Sequence, residues 1–440
     1  MSAAAVDRAL LGLYQAGLLG LVALASPVLV GRMLATGKYR PGFGQRLGRY
    51  PAEVLALAER RPIWVHAVSV GETVAALPLL SALHGARPDL PLLVSTVTPT
   101  GEATARERAR EAAAVCYFPF DLAGPVRRAL DGVRPRLVLL LETEIWPVFL
   151  LAAERRGIPV GVVNGRLSDR SFRRYRRVRP LLARCLRSLA FVGAQTRADA
   201  DRFVALGAPP DRTVVTGNLK IDQAAAAPGG AAVTPAMLEA ALGLPPTPRF
   251  VAGSTHRGEE AVVLDAFARM RARVPDLRLI LAPRHPERLG EVGRLLDERG
   301  WRWRRRSERP GAPGEPPPDV VLVDTMGELA TLYGIADVVF VGGSLVPVGG
   351  HSLLEPAAHG RAPLHGPHMH NFREVTRALA EAGGALPVTD AASLAEAALG
   401  LLADPARRAD LGARARGVVE AGRGATTRTL ALVERALGGT

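Results

Sequence analysis

The sequence predicts an α/β protein made of two successive parallel-sheet domains, and three observations support this fold class. The chain has 440 residues, too many for one ordinary core, which suggests two domains of roughly 200 residues each. Apolar segments of strand length alternate with helical patterns, as is typical of βαβ units. The alternation stops once, from Gln223, in a segment rich in Ala, Pro and Gly. We therefore expect a first domain over residues 36–222, a linker over 223–248 and a second domain over 249–440.

The individual strands are predicted from short apolar runs. Those of the first domain are PIWVHAV, LPLLVSTV, AVCYFPF, RLVLLLET, IPVGVVN and LAFVGAQ. Those of the second are RFVAGST, LRLILAPR, DVVLVDT, DVVFVGGS and APLHGP. Helical patterns such as TVAALPLLSALHGA lie between them, so each sheet is expected to be parallel and doubly wound.

The first 35 residues predict a membrane anchor. No charged residue lies between Ala9 and Gly31, and this run is long enough for a spanning helix, which needs ~20 apolar residues. A basic cluster follows, made of Lys38, Arg40, Arg46 and Arg49. Because basic residues tend to stay in the cytoplasm, we expect an anchor over 1–35, monotopic or single-span, with the rest of the chain on the cytoplasmic side.

The charge balance favours an anionic partner. Lys and Arg number 56 against 42 Asp and Glu, which suits nucleic acid, anionic lipid or a phosphorylated substrate, or only reflects an arginine-rich genome. Two basic runs stand out, RSFRRYRRVRP at 170–180 and WRWRRR at 301–306. Beside a hydrophobic anchor, anionic lipid is the better partner for the first run. The second run fits either nucleic acid, with stacking tryptophans, or a soluble surface.

Acidic side chains follow two predicted strands of the first domain, where open α/β sheets bind ligands. Glu72 suits a general base, or only a favourable acid in the first turn of a helix. Glu142 and Glu144 would share one face if the strand continued through them. They would then stabilise positive charge on a sugar ring, hold a cation, or pair with the arginines of 170–180.

Basic and glycine-rich segments follow other strands. Lys220 could meet a phosphate or carboxylate, and Arg284 with His285 follows a strand of the second domain. Gly327 would permit close backbone approach beside Glu328. The pair Gly349-Gly350 leads into a helix start, which suits either a phosphate or a capping box formed by Ser352 and Glu355.

Other patterns are set aside. The histidines of HGPHMH lack a completing ligand, so neither a metal nor another cofactor is predicted. Asp199 and Asp201 lie in a helical pattern and are expected on a solvated face. P-loop, dinucleotide-binding and G-x-S-x-G motifs are missing from the sequence, which disfavours those chemistries. Two cysteines in unrelated segments indicate a reducing compartment.

An ordered set of segments resembles one family, the 3-deoxy-D-manno-octulosonic acid (Kdo) transferases of lipopolysaccharide synthesis. The segments are WVHAVSVGET, TVTPTGEATA, YFPFDL, ETEIWP, NGRLSDRS, GNLKID, GSTHRGEE, LAPRHPER, DTMGELATLYGIADVVFVGGSLVPVGGHSLLEP and GPHMHNF. The resemblance runs from the anchor to about Val388.

The resemblance implies a GT-B fold, in which two Rossmann-like domains face each other across a cleft. It implies an inverting enzyme that moves Kdo from CMP-Kdo to a sugar hydroxyl of a lipid A precursor at the cytoplasmic face of the inner membrane. The first domain would bind the acceptor and the second the donor, with no cofactor, metal or nucleic acid. Glu72 takes the general-base position, and Glu142 and Lys220 those that stabilise the transition state. The implied CMP-binding residues are Pro283, Arg284, Met326, Gly327, Glu328, Ser352, Leu353, Leu354 and Glu355.

The chain departs from the family pattern at three positions. Ser352 stands where the family usually has Asn, Gly165 where it has Ala, and Gln45 where Glu is frequent. A serine hydroxyl offers fewer donors than an asparagine amide, which puts the Ser352 contact with CMP in doubt. Two alternatives stay open: another membrane-associated GT-B transferase that uses a UDP-sugar, and a catalytically silent scaffold that binds nucleotide or lipid.

Overall fold

The structure is a computed structural model that describes residues 12, 14–17, 20, 42–225, 235–308 and 316–438. The chain forms two compact units. Unit 1 comprises residues 1–223 together with 423–440, and unit 2 comprises residues 224–422. Both are parallel-sheet α/β units, which confirms the predicted fold class in that respect.

Unit 1 contains a seven-stranded sheet whose paired strands all run parallel. Its strands are β1 (Ile63–His66), β2 (Leu92–Thr96), β3 (Ala112–Tyr117), β4 (Leu137–Leu141), β5 (Val160–Gly165), β6 (Phe191–Ala194) and β7 (Thr213–Val215). The spatial order is β3-β2-β1-β4-β5-β6-β7, so the chain changes direction between β1 and β4. Ligands of such sheets bind outside the carboxyl ends of the strands at this switch point.

Helices cover both faces of this sheet. Before and between the strands lie α1 (Phe43–Arg46), α2 (Ala52–Leu55), α3 (Val70–Ala86), α4 (Pro99–Arg108), α5 (Ala123–Val133), α6 (Pro147–Glu154), α7 (Asp169–Arg176), α8 (Arg179–Arg187), α9 (Arg197–Leu206) and α10 (Leu219–Ala225). Short 3₁₀ turns occupy Ala56–Arg60 and Pro210–Arg212. Side chains of β1 alternate between two cores, Trp64 in one and Val65 in the other, as the period of two requires.

Unit 2 has a second seven-stranded parallel sheet. Its strands are β8 (Arg249–Thr255), β9 (Arg278–Pro283), β10 (Trp303–Arg305), β11 (Val320–Leu322), β12 (Val338–Val341), β13 (Pro363–His365) and β14 (Leu386–Pro387). The order is β10-β11-β9-β8-β12-β13-β14, which places the switch point between β8 and β12. Its helices are α11 (Pro235–Leu242), α12 (Glu259–Arg271), α13 (Leu289–Glu298), α14 (Leu329–Gly334), α15 (Leu354–Ala358), α16 (Arg373–Glu381), α17 (Ala391–Ala403) and α18 (Pro405–Gly422), with a 3₁₀ turn at Pro286–Arg288.

The C-terminal helix α19 (Ala425–Gly438) corrects the predicted extent of the second domain. That domain was expected to run to residue 440, but α19 belongs to unit 1. Leu432, Val433 and Leu437 are buried in the unit 1 core that holds Val65. The Asp222 carboxylate also accepts the N–H groups of Gly424 and Thr426, which fixes the start of the returning helix.

The predicted linker is also shorter than 223–248. Residues 235–242 form α11, and Leu238 and Leu242 are fully buried, so this stretch folds as part of unit 2. Residues 226–234 of the linker, and residues 309–315 of the proline-rich loop, lie outside the described residues.

Most of the predicted anchor over 1–35 also lies outside the described residues. Across the part of the chain that the structure does describe, none of the helices combines the length and apolar character that a membrane span requires.

Candidate active site

Glu72 lies at the switch point of unit 1, in the first turn of α3 just after β1. Its carboxylate accepts the Val68 N–H at 2.8 Å and the Ser69 hydroxyl at 2.9 Å. Ser69 in turn caps α3 by accepting the Glu72 N–H. Burial is the main cause that raises the pKa of Glu72 above its ordinary value, and the nearby Glu142 carboxylate raises it further. The residue is therefore both a helix-start acid and a carboxylate of increased basicity.

Glu142 and Lys220 form an ion pair beside it. The Lys220 ammonium lies 2.7 Å from a Glu142 carboxylate oxygen, and both side chains are partly buried. Glu142 follows β4, the other strand at the switch point, and Lys220 lies in the first turn of α10. Glu142 and Lys220 both act electrostatically on Glu72, so the structure brings the three predicted catalytic residues together in unit 1.

The predicted arrangement of Glu142 and Glu144 on one extended face is wrong. β4 ends at Leu141, and Glu142 adopts a left-handed backbone with φ of 56°. This conformation is strained for a residue that is not glycine, and it turns the chain out of the sheet. Glu142 pairs with Lys220 rather than with the arginines of 170–180. Burial raises the pKa of Glu144 to about 7, with further increases from Glu72 and Glu142.

Asn164 positions the lysine, a role that was not predicted from the sequence. It lies fully buried near the end of β5, also with a left-handed backbone. Its side-chain oxygen accepts the Leu219 N–H at 3.0 Å, which fixes the start of the helix that carries Lys220. An asparagine tolerates this backbone conformation better than most residues, which was the available signal in NGRLS.

A buried carboxylate organises the switch point of unit 2. Glu259 is fully buried, and its two oxygens accept four backbone N–H groups at 2.6–2.9 Å. The donors are His256 after β8 and Gly343, Ser344 and Leu345 after β12. These N–H groups are therefore used inside the protein. The sequence pattern alone makes Glu259 a first-turn helix acid and does not reveal this role.

The glycine pair before His351 adopts the conformation that glycine permits. Gly349 and Gly350 have φ of 115° and 79°, and the Gly350 N–H donates to the Gly343 carbonyl. The predicted capping box is wrong: α15 begins at Leu354, and its N-cap, Leu353, makes no side-chain capping bond. The Ser352 hydroxyl accepts the Leu354 N–H, at a long 3.4 Å.

The segment 351–355 is partly accessible at its start. Leu353 and Leu354 are buried, whereas His351 and Ser352 are only partly buried. The N–H groups of His351, Ser352 and Leu353 have no hydrogen-bond acceptor among the described residues. Backbone donors of this kind suit an anion.

The other predicted CMP residues fall into two groups. Pro283 ends β9 beside β8, and Arg284 follows it, exposed and without an ion pair to any described residue. Glu328 follows β11; Arg306 and Thr325 donate to its carboxylate at 3.0 and 2.7 Å. The side chain of Met326 is 73% exposed and available for contact, and Gly327 has φ of 84°.

Three histidines of unit 2 lie close together, a grouping that was not predicted from the sequence. The Nε2 atoms of His256 and His351 lie 2.9 Å apart, and the His285 ring stands edge-on to His256 at 5.1 Å. Burial lowers the pKa of His351 to about 4, and His256, Arg284 and His285 lower it further. His256 and His351 lie 95 residues apart in sequence, so no local pattern could pair them.

Two other expectations are corrected. Asp199 is buried rather than solvated, and its carboxylate accepts the Leu167 N–H; Asp201 is on the surface, paired with Arg197. In WRWRRR, Trp301 packs on the unit 2 core and Trp303 donates to Asp297, so these rings are not free for stacking on bases.

The remaining expectations concern Gln45 and metal binding. The Gln45 side-chain oxygen accepts the Tyr117 N–H at 2.8 Å, a structural contact. Within the ranges that the structure describes, no cluster of three or more His, Cys, Asp or Glu ligands is placed to hold a metal ion.

Comparison with solved structures defines the class of fold. The chain resembles the UDP-GlcNAc 2-epimerase of Neisseria meningitidis bound to UDP-GlcNAc with a TM-score of 0.59, covering 85% of this chain and all of that one at 14% identity. At this identity the similarity shows the fold alone, a pair of Rossmann-like units of GT-B type.

Sequence comparison gives the family. A family model described as 3-deoxy-D-manno-octulosonic-acid transferase (kdotransferase) matches residues 41–223. The 3-deoxy-D-manno-octulosonic acid transferase of Bordetella pertussis is 39% identical over 408 residues, which are 90% of this chain and 91% of that protein. The enzyme of the same name from Haemophilus influenzae is 34% identical over 417 residues, 94% of each chain. The chain therefore belongs to the 3-deoxy-D-manno-octulosonic acid transferase family, as its motifs predicted.

Proposed function

We propose that the protein is an inverting glycosyltransferase that moves Kdo from CMP-Kdo to a sugar hydroxyl of a lipid A precursor in lipopolysaccharide synthesis. The observation that carries this proposal is the cluster of Glu72, Glu142 and Lys220 at the switch point of unit 1, in a chain of this family. The cluster supplies a basic carboxylate beside a paired ammonium and carboxylate.

Glu72 acts as the general base in this proposal. Its carboxylate takes the proton of the acceptor hydroxyl, and the oxygen forms a bond to the anomeric carbon of Kdo on the face opposite the phosphate. The bond from that carbon to the phosphate oxygen breaks, and the electron pair leaves with CMP. The raised pKa of Glu72 supports this role, because it brings the base closer to neutral pH.

Glu142 and Lys220 stabilise charge during transfer. Positive charge develops on the Kdo ring as the bond to phosphate breaks, and a fixed carboxylate offsets it. The Lys220 ammonium holds Glu142 in place and is a candidate partner for the Kdo carboxylate. The strained backbone of Glu142 supports a functional rather than a purely structural placement.

Unit 2 binds the CMP part of the donor in this proposal. Arg284 is exposed and without an ion pair among the described residues, which suits the phosphate, and so do the backbone N–H groups of His351 and Ser352. Met326 and Glu328 are candidates for the nucleoside. Ser352 contributes its backbone N–H. It lacks the side-chain amide of the asparagine that the family usually has at this position.

The protein works at the cytoplasmic face of the inner membrane in this proposal, held by residues 1–35 and by anionic lipid. The run 170–180 supports a lipid contact: Phe172 and Tyr175 pack on the core, while the arginines of α7 are exposed. Sedimentation with phosphatidylglycerol vesicles tests this contact. Replacing Arg170, Arg173 and Arg176 with Gln should weaken it, and equal binding to phosphatidylcholine vesicles would contradict it.

The proposed reaction is tested by mass analysis of the product. The protein is incubated with a lipid A precursor and either CMP-Kdo or a UDP-sugar. Addition of Kdo from CMP-Kdo alone is the expected result. Transfer only from the UDP-sugar would favour another GT-B transferase, and failure of both donors, with CMP or lipid still bound, would favour a silent scaffold.

A further inference from the structure

Two histidines at the switch point of unit 2 meet end to end. The Nε2 atoms of His256 and His351 lie 2.9 Å apart, with ring centroids 5.2 Å apart and planes 15° from parallel. The distance between the centroids is about the sum of the Nε2–Nε2 distance and the two distances from each centroid to its own Nε2. The two Nε2 atoms therefore lie on the line between the centroids, and the rings do not overlap face to face. One Nε2 must therefore carry a proton and donate it to the other.

This geometry fixes how many protons the pair accepts. A neutral pair already contains one N–H between the rings, and one added proton on the donor ring turns the contact into a charge-assisted hydrogen bond. A second added proton would place two N–H groups against each other. The pair therefore accepts one extra proton and excludes a second.

The surroundings of the pair disfavour an added proton on either histidine. Burial lowers the pKa of both histidines, and interactions with Arg284 and His285, which follow β9, lower it further. Glu259 and Glu260, at the start of α12, act in the opposite direction on His256. Both are engaged elsewhere, Glu259 with four N–H groups and Glu260 with Arg288. An anion bound beside Arg284 would offset the positive charge of that side chain and raise the pKa of His256 and His351.

The pair lies where the donor's phosphate is expected. His256 leaves β8 at the switch point, Arg284 leaves the neighbouring β9, and His351 begins the segment whose N–H groups are free of described partners. Gly343, after β12, keeps this space open: a Cβ there would lie 2.9 Å from the His351 ring and 3.2 Å from that of His256. The rings thus rest against a glycine that a larger residue could not replace.

We propose that His256 and His351 form a proton-sharing pair in the donor site that takes up one proton when the phosphate of the CMP-sugar binds. This rests on the proposed function, since it assigns the donor to unit 2. The resulting imidazolium stabilises the phosphate as the bond to the anomeric carbon breaks and its oxygen gains charge. Together with Arg284, the two histidines would then recognise the phosphate that joins the nucleoside to the sugar in the donor.

Calorimetry with the methyl phosphodiester of CMP tests the pair. This probe carries the single, non-titrating charge of a phosphodiester, as the donor does, so any proton taken up from the buffer is bound by a group of the protein. Binding is measured at pH 7 in two buffers of different protonation enthalpy. We expect uptake approaching one proton for the unchanged protein, and an affinity that weakens with rising pH, by up to about tenfold per unit.

Variants separate the pair from the rest of the site. His351→Gln and His256→Gln should each abolish proton uptake and flatten the pH dependence, while the control His84→Gln, on the exposed surface of α3 in unit 1, should change neither. Binding of the probe without proton uptake by the unchanged protein would overturn the inference and leave the proposed function standing. If neither the probe nor CMP binds, the donor assignment itself fails.

Discussion

The Lys220 ammonium lies 2.7 Å from the Glu142 carboxylate, and the two act on Glu72 with opposite sign. Glu142 raises the pKa of Glu72, and Lys220 lowers it. The three residues come from the segments that follow β1, β4 and β7, which the sheet brings to the same edge. The ion pair of Glu142 and Lys220 thereby adjusts the pKa of Glu72.

Opposite shifts in the pH–rate profile follow from this relationship. In the pH–rate profile, the pKa of Glu72 sets the acidic limb, where the rate rises as the base loses its proton. Replacing Lys220 with Gln should move this limb to higher pH, and Glu142→Gln should move it to lower pH. Each change should also slow transfer by about 10²–10³-fold, because a charge that stabilises the transition state is lost. Shifts in the same direction, or a fixed limb, would contradict the electrostatic link.

Glu144 makes the stability of unit 1 depend on pH. Its folded-state pKa is about 7 against an ordinary 4.5, so the folded protein binds more protons between these values. Its contribution to the free energy of unfolding should fall as pH rises through this window. Glu144→Gln should remove that loss and stabilise the protein by about 1–2 kcal/mol at pH 8, discounted for partial exposure, with little gain near pH 4.5.

Urea unfolding at a series of pH values measures the Glu144 effect. Glu107→Gln, on the exposed surface of α4, is the control. A stability gain for Glu144→Gln of equal size at pH 4.5 and pH 8 would rule out the proposed cause.

Glu259 should be essential to the loops at the unit 2 switch point. Glu259→Gln places an NH₂ group among four N–H donors and removes the negative charge that they share. We expect a loss of about 2–4 kcal/mol in the free energy of unfolding of unit 2. Hydrogen exchange at Gly343, Ser344 and Leu345 should accelerate, whereas Glu298→Gln, on the exposed surface of α13, should leave it unchanged.

Much of the fold could be predicted from the sequence. Helices cover both faces of a doubly wound sheet, so its strands are buried on both sides and appear in the sequence as continuous apolar runs. The apolar runs that predicted strands at Ile63 and Val338 are continuous for this reason. The return of α19 to unit 1 could not be predicted in the same way. Its apolar residues indicate a helix with one buried face, but they do not say which of two cores covers that face.

The residues of the candidate site could be predicted where charged side chains follow the ends of strands. They could not be predicted where backbone conformation or contacts between distant segments place them. The positions of Glu72 and Glu142 followed from the rule for parallel sheets, and the comparisons support the family to which their motifs point. The left-handed backbone of Glu142 had no signal, because no glycine or asparagine occupies the position. The contacts of Glu259 and the pairing of His256 with His351 join distant segments, which periodicity does not reveal.

Glu72→Gln tests the central claim most directly, measured as single-turnover transfer from CMP-Kdo to a lipid A precursor. The control is Glu102→Gln, which changes the first-turn acid of the next helix, α4. If Glu72 is the base, its variant should stay folded and bind CMP normally but transfer Kdo about 10²–10⁴-fold more slowly, while the Glu102 variant keeps its rate. Near-normal transfer by folded Glu72→Gln protein would show that this carboxylate only caps its helix.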